Sequence, residues 1–337
     1  MQIIDLSIRF LVSLLPVVLF LLTLVYLDSY KLVHIRNLLM AILVGCATAL
    51  LSLLLNDTVI SEMGWPRPIV SRYMAPPVEE VLKAAWVAWL IASKRVGFLV
   101  DATIVGFAIG TGFALIENTY YIQTLETSSI FIWTIRGLGT AVMHGGVTAL
   151  FALITKGLFD RYGGRPVVFL PGLLLATALH SLYNHFILPP VATTVVLHVT
   201  LPAILLFAFW RSERATRRWL GTQMDVDAEL LEIINSGHLS ESRIGHYVET
   251  LKEQFTPEVL IDMLCYLRIH VELAISAKGV LMMRAAGFKA SPPPGTQEKF
   301  RELRHLERSI GPTGRLALAP FLHQSTRDLW QIYMLDQ

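Results

Sequence analysis

The 337-residue chain is 54% hydrophobic and 16% charged, with 28 Lys and Arg against 26 Asp and Glu for a net charge of +2. A soluble domain carries about 25% charged residues, so the composition excludes an ordinary soluble protein, and the near-neutral balance gives no signal for nucleic acid. Cys46 and Cys265 stand far apart and form no CxxC, which argues against a disulfide or a cysteine metal site.

The N-terminal stretch carries Asp5 and Arg9, then an apolar run from Phe10 to Leu27. That run is too long for a signal-peptide core and lacks a small-residue cleavage site, so a retained first helix is expected. A spanning helix needs about 20 mostly apolar residues. Seven stretches are predicted to qualify: 10–28, 37–56, 74–93, 98–122, 131–155, 166–188 and 190–210. Basic residues collect in alternate connections: Lys31 and Arg36, then Lys94 and Arg95, then Lys156, Arg161 and Arg165, then Arg211, Arg214, Arg217 and Arg218. The positive-inside rule then places the N-terminus outside and the C-terminus in the cytoplasm.

From about Trp210 the character changes. Residues 211–221 form a basic juxtamembrane linker with Trp210 and Trp219 near its ends, as an interfacial anchor requires. Residues 222–337 are predicted to form a cytoplasmic helical domain of packing or interaction type, able to engage a cytoplasmic protein partner. Within it Thr256-Pro257-Glu258 has the pattern of an N-cap followed by proline at the first helical position, opening a helix to about Ala286. The expected fold is all-α: a polytopic bundle of about seven transmembrane helices over 1–210, the linker, and the C-terminal domain.

Four spans carry polar groups that apolar packing does not explain. The third has Glu79, Glu80 and Lys83; the fourth has Glu117 and Asn118; the fifth has Arg136 and His144; the sixth has His180 and Asn184. A charge in hydrocarbon costs roughly 2.5–3.5 kcal/mol on insertion scales, so such groups are paired, face water, or do chemistry. At about 1.5 Å per residue, Glu80, Glu117 and His180 lie roughly 8–12 Å from the outer face, with His144 deeper. Glu79 and Lys83 are four apart and so share a helix face, which predicts an ion pair between them. His180 and Asn184 share a face by the same rule.

Each group also has a structural reading. Glu79–Lys83 is a plain ion pair, Glu117 a bundle acceptor, Arg136 an interfacial anchor, His198 a structural histidine and His185 an interfacial one. The joint occurrence at similar depth favours hydrolysis: a glutamate takes a proton from water, a histidine or a histidine-held metal positions it, and Asn184 donates to the oxyanion. GxSxG and HExxH are absent. Zinc stays open, with His144, His180 and a carboxylate such as Glu117 as ligands. A proton-coupled transporter and a non-catalytic membrane scaffold are the readings from other classes.

Together, Glu79-Glu80-x-x-Lys83, Phe113-Ala114-x-x-Glu117-Asn118-x-x-Tyr121, His144 and His180-x-x-x-Asn184 resemble the PrsW family of intramembrane proteases, related in pattern to the group that holds the CAAX prenyl proteases. The resemblance covers roughly residues 70–190. It implies an endopeptidase of a bacterial cell membrane that cleaves membrane-anchored proteins, with an anti-sigma factor as the best-known kind of substrate. It carries over Glu79 and Glu80 to the water-activating position, with Glu117, His144, His180 and Asn184 completing the site. The family has been described as metal-dependent, whereas the prenyl proteases use glutamate without an essential metal, so both mechanisms stay open. A prenyl protease acting on a lipidated C-terminus is the same-class alternative.

Overall fold

A computed structural model describes residues 2–125, 129–236, 241–322 and 334–335. The described residues are predominantly helical, with no strand among them. Two compact units divide the chain at Glu213 and Arg214.

The first unit is a helix bundle. Its elements are α1 (Gln2–Leu27), α2 (Ile35–Met63), the single turn α3 (Arg67–Ile69), α4 (Ala75–Ala92), α5 (Leu99–Thr124), α6 (Ile130–Ile135), α7 (Val142–Tyr162), α8 (Leu170–Asn184) and the first part of α9 (Pro190–Asn235). A π-helical turn, Val70–Met74, leads into α4, and another, Arg136–Ala141, joins α6 to α7.

Six helical segments among the described residues are long and apolar enough to cross a membrane, against the seven expected. The one that does not qualify is α4. Glu79, Glu80 and Lys83 lower its apolarity within only 18 residues. All three are buried, and α4 packs against α2, α5, α7 and α8. The protein thus shields α4 with other helices, which is how ionisable groups are accommodated at membrane depth.

The centre of the bundle is α5, buried on every side from Val100 to Ala114. Its glycines explain why neighbours come so close. A side chain on Gly110 would run into the His144 carbonyl of α7, and one on Gly112 into the Ile42 carbonyl of α2. Small residues at such crossings let backbones touch, the usual basis of helix association in a bilayer. The start of α5 is fixed locally: the Asp101 carboxylate accepts from the backbone N–H groups of Gly97 and Phe98, both at 2.8 Å, which are the donors a helix start leaves unpaired.

Two boundaries differ from expectation. The second span was expected to end at residue 56, but α2 runs on to Met63 and stops at Gly64, whose φ of 65° is the left-handed conformation that terminates helices. Asn56 and Asp57 are polar without breaking the helix. The stretch 211–221, expected as a linker, is helical and continuous with the last span inside α9.

The second unit contains the end of α9, α10 (Arg243–Thr250), α11 (Pro257–Ala285) and α12 (Thr296–Leu318). α11 starts with Thr256 as N-cap and Pro257 as its first residue, as the sequence indicates. Its buried face, including Met263, Leu267, Ala274 and Leu281, meets Phe300, Leu303, Leu306 and Ile310 of α12. α12 kinks at Gly311-Pro312. Lys278 and Asp227 form a buried ion pair with the ammonium over the Trp219 ring. Residues 323–333, within the predicted C-terminal domain, lie outside the described residues.

Candidate active site

The sequence Met74-Ala75-Pro76-Pro77 builds the entrance to α4. In the π turn the N–H of Ala75 bonds to the carbonyl of Val70, five residues back. Pro76 and Pro77 have no N–H, so the carbonyls of Ser71 and Arg72 lack donors from their own helix. Two side chains of α8 replace them: Asn184 Nδ2 donates to Ser71 O at 2.8 Å, and Ser181 Oγ donates to Arg72 O at 2.6 Å. A helix weakened by its own prolines is thereby fastened to the helix that carries His180.

One turn further along α4 lie the three ionisable groups. Lys83 Nζ pairs with Glu80 Oε1 at 2.5 Å, three residues back. This corrects the expected Glu79–Lys83 pair. Positions three apart are neighbours as surely as positions four apart, and here Glu80 is the carboxylate turned inward, 1% exposed beside a fully buried Lys83. Glu79 points elsewhere, receiving Asn56 Nδ2 of α2 at 3.3 Å on Oε1.

His180 stands between the two glutamates. Its Nδ1 lies 2.8 Å from Glu80 Oε1, and its Nε2 lies 3.8 Å from Glu79 Oε2. An ionised carboxylate only accepts, so Nδ1 carries a proton, and in the neutral ring Nε2 presents a lone pair toward Glu79. His144 meets His180 edge to face at 4.8 Å. Its Nδ1 lies 3.3 Å from the Lys83 ammonium, which has no lone pair, so Nδ1 accepts there, and Nε2 then donates to Glu117 Oε2 at 3.0 Å.

Glu117 is also 3.4 Å from Arg136 Nη2, while Arg136 Nε donates to Asn118 Oδ1 at 3.1 Å and the guanidinium lies 4.2 Å from the Tyr121 ring centre. Asn118, fully buried, donates in turn to the Ser13 carbonyl of α1 at 3.0 Å. The interfacial role expected for Arg136 is therefore replaced by a place in the cluster. The reason is geometric. With 100° per residue, Arg136 and His144 sit about 80° apart around a helix. The π turn between them absorbs one extra residue, which brings them to within about 20°, so both reach the same carboxylate.

A cavity of about 210 Å³ opens beside these groups. Its lining includes Asn56, Glu79, Glu117, Tyr121, His180 and Asn184, but not Glu80, Lys83 or His144. The structure thus brings Glu79, Glu117, His180 and Asn184 to one space and sets Glu80 and Lys83 behind His180. His185 bonds locally to Ser181 O, and His198 to Thr194 O. Asn56, passed over in the sequence as the last residue of an apolar span, is the lining residue with the least visible signal.

The ligand atoms of Glu79, His144 and His180 all lie within 4.8 Å of one another, and all three residues are buried. Two imidazoles and a carboxylate are a donor set that zinc takes. The facing lone pairs of His180 Nε2 and Glu79 Oε2 fit a cation well, and the Glu80 carboxylate behind Nδ1 is the usual support of a metal-binding histidine. His144 would join this set by giving up one of its two hydrogen bonds. Glu117, considered a ligand from the sequence, lies outside this triplet and hydrogen-bonds one of its members.

Comparison with known proteins agrees with this chemistry. The model of the PrsW family, described as intramembrane metalloproteases, matches residues 33–210, more than half of the chain. Neither the search of curated proteins nor that of solved structures found a match.

Proposed function

The chain belongs to the PrsW family of intramembrane metalloproteases, and from that premise we propose that it cleaves a membrane-anchored protein at a bond that enters the cavity beside Glu79, with an anti-sigma-factor-like protein as the substrate type. The observation that supports this most is the division of the glutamate pair. Glu79 lines the cavity and faces the bare Nε2 of His180, whereas Glu80 is enclosed between Lys83 and His180.

In this reading Glu79 holds the attacking water and accepts its proton, and Glu80 is a positioning residue that fixes the tautomer of His180. Arg136 and Glu117 orient His144. Asn184 spends one amide hydrogen on Ser71 and keeps a second for the oxyanion. In the alternative with metal, a zinc ion held by Glu79, His144 and His180 would take over the activation of the water and polarise the scissile carbonyl, with Glu79 a ligand in place of its role as base. The 1–210 bundle acts as the catalytic part, 211–221 as a basic anchor, and 222–337 as a site for a cytoplasmic partner. The alternation of basic connections supports an N-terminus outside and a C-terminus in the cytoplasm, and the family resemblance is what suggests a bacterial cell membrane. The cavity then faces outward, because it is lined near the end of α2, the start of α4 and the ends of α5 and α8.

The test is co-expression of candidate single-span substrates with the wild type, Glu79→Ala and His180→Ala, each checked for folding in detergent. Cleavage by the wild type alone is expected. Undiminished cleavage by both variants refutes the assignment.

A further inference from the structure

The catalytic reading uses the inner end of the cavity and leaves its mouth unassigned. One wall is a continuous stripe. Arg67, Ser71, Ala75 and Glu79 follow at every fourth position through α3, the π turn and α4, and all four line the cavity. Twelve residues at about 1.5 Å each put Arg67 roughly 18 Å from Glu79 along this wall. The stripe therefore joins Glu79 to a guanidinium at the mouth.

Arg67 differs from the other cations nearby. Lys83 is closed in by Glu80 and His144, Arg136 is held by Glu117 and Asn118, and neither lines the cavity. Arg67 is exposed, is the one Lys or Arg in the lining, and has no ion pair among the described residues. Asp57, exposed on the wall that α2 contributes, lines the same cavity without pairing with it. The mount of Arg67 is rigid. Pro66 precedes it and Pro68 follows, so φ is locked on both sides. The Pro66 carbonyl also accepts from the N–H groups of Ile69 at 2.9 Å and Val70 at 3.1 Å. A cation held this way needs little backbone ordering when it binds. The charges along the stripe set a direction. Glu79 and Glu117 at the inner end repel an acidic side chain, whereas Arg67 at the mouth attracts one, and such opposed signs fix register. A guanidinium takes a carboxylate through two parallel N–H groups.

We propose that Arg67 forms a substrate subsite for an acidic side chain, Asp or Glu, on the flank of the substrate that leaves the cavity through its mouth. This rests on the protease reading and adds a specificity to it. An extended chain advances about 3.3 Å per residue, so the span of roughly 18 Å corresponds to about five residues. The acidic residue therefore lies within about five residues of the cut bond.

The experiment uses synthetic single-span peptides and the full-length protein in micelles. Asp or Lys is placed at one position at a time on the flanks of the cut bond, and the ratio of kcat/KM for the Asp and Lys peptides is measured. The wild type should prefer Asp about fivefold at one position or two neighbours, the upper range for an exposed ion pair. The preference should sit in KM, because Arg67 holds ground state and transition state alike. Arg67→Ala should bring the ratio to one or below, and Arg67→Glu should invert it. Each ratio is taken within one preparation, so a partly folded variant still reports, and Arg67→Gln stands in where Arg67→Glu does not fold. The inference is overturned if the wild type shows no preference at any position, or if the variants keep the wild-type ratio. An unchanged ratio with a loss of activity that depends on anionic lipid would assign Arg67 to a headgroup instead. Binding of the same peptides to His180→Ala and to His180→Ala/Arg67→Glu separates the two readings. An Asp preference in binding, inverted by Arg67→Glu, without wild-type cleavage of any peptide would sink the protease reading and keep the subsite. Cleavage with no such preference would do the reverse.

Discussion

His180 donates through Nδ1 to Oε1 of Glu80, 2.8 Å away, across 100 residues of sequence. The bond makes the second glutamate of the pair a support and frees the opposite nitrogen of the ring. Replacing Glu80 by Gln should lower the affinity of the purified protein for zinc by about tenfold to a hundredfold. Glu79→Ala should abolish stoichiometric binding and reduce the turnover number at least a hundredfold. Titration calorimetry and metal analysis check the first result, and peptide cleavage the second. Treatment with a chelator should silence the wild type, and added zinc should restore it.

Lys83 is fully buried between Glu80 and His144. Lys83→Met leaves a buried carboxylate without its partner, which costs about 3–5 kcal/mol. The double variant Lys83→Met/Glu80→Gln removes both charges and should recover most of that loss. Thermal unfolding in micelles reads both values, and equal instability of the single and double variants would contradict the pairing.

The carbonyls of Ser71 and Arg72 depend on α8 because prolines follow them. Ser181→Ala should destabilise by about 1–3 kcal/mol, the cost of a buried unsatisfied acceptor. Pro76→Ala returns an N–H to this turn, so the loss from Ser181→Ala should be smaller in that background. Strict additivity would show that the proline is not the cause.

Arg136 serves Glu117, Asn118 and the Tyr121 ring at once. Arg136→Ala should reduce the turnover number about tenfold or more, the scale on which disturbed orientation of a catalytic group is felt, with little change in KM. Arg136→Lys should restore little, since an ammonium lacks the planar fork that meets two acceptors and stacks on a ring. Recovery with lysine would mean that charge alone matters.

Much of the bundle was legible because long apolar runs and paired turns leave a plain trace: α4 and α11 fall within a residue or two of their expected limits. The site was legible through its cost, since Glu79, Glu117, His144 and His180 are conspicuous in apolar sequence. What escaped is what ideal helical periodicity hides. The π turn before α7 rotates Arg136 onto the His144 face, and an even 100° step cannot register an added residue. The choice of Glu80 over Glu79 by Lys83 turns on side-chain direction, which spacing alone leaves open. Asn56 was lost because one amide at the expected end of an apolar span looks like a boundary, while α2 in fact continues to Met63.

The charged face of α4 also constrains how the protein is made. Three ionisable groups at roughly 2.5–3.5 kcal/mol apiece make α4 a poor candidate for entering lipid by itself. The histidines that receive Lys83 and Glu80 are 61 and 100 residues further along the chain. At about 5–20 residues per second, α4 leaves the ribosome several seconds before its seat exists. It must therefore wait beside the insertion machinery or at the lipid–water boundary until α7 and α8 arrive. Membrane integration of α4 and completion of the active site are one event in biogenesis, and a nascent chain stalled before α8 holds a charged helix with no place to go.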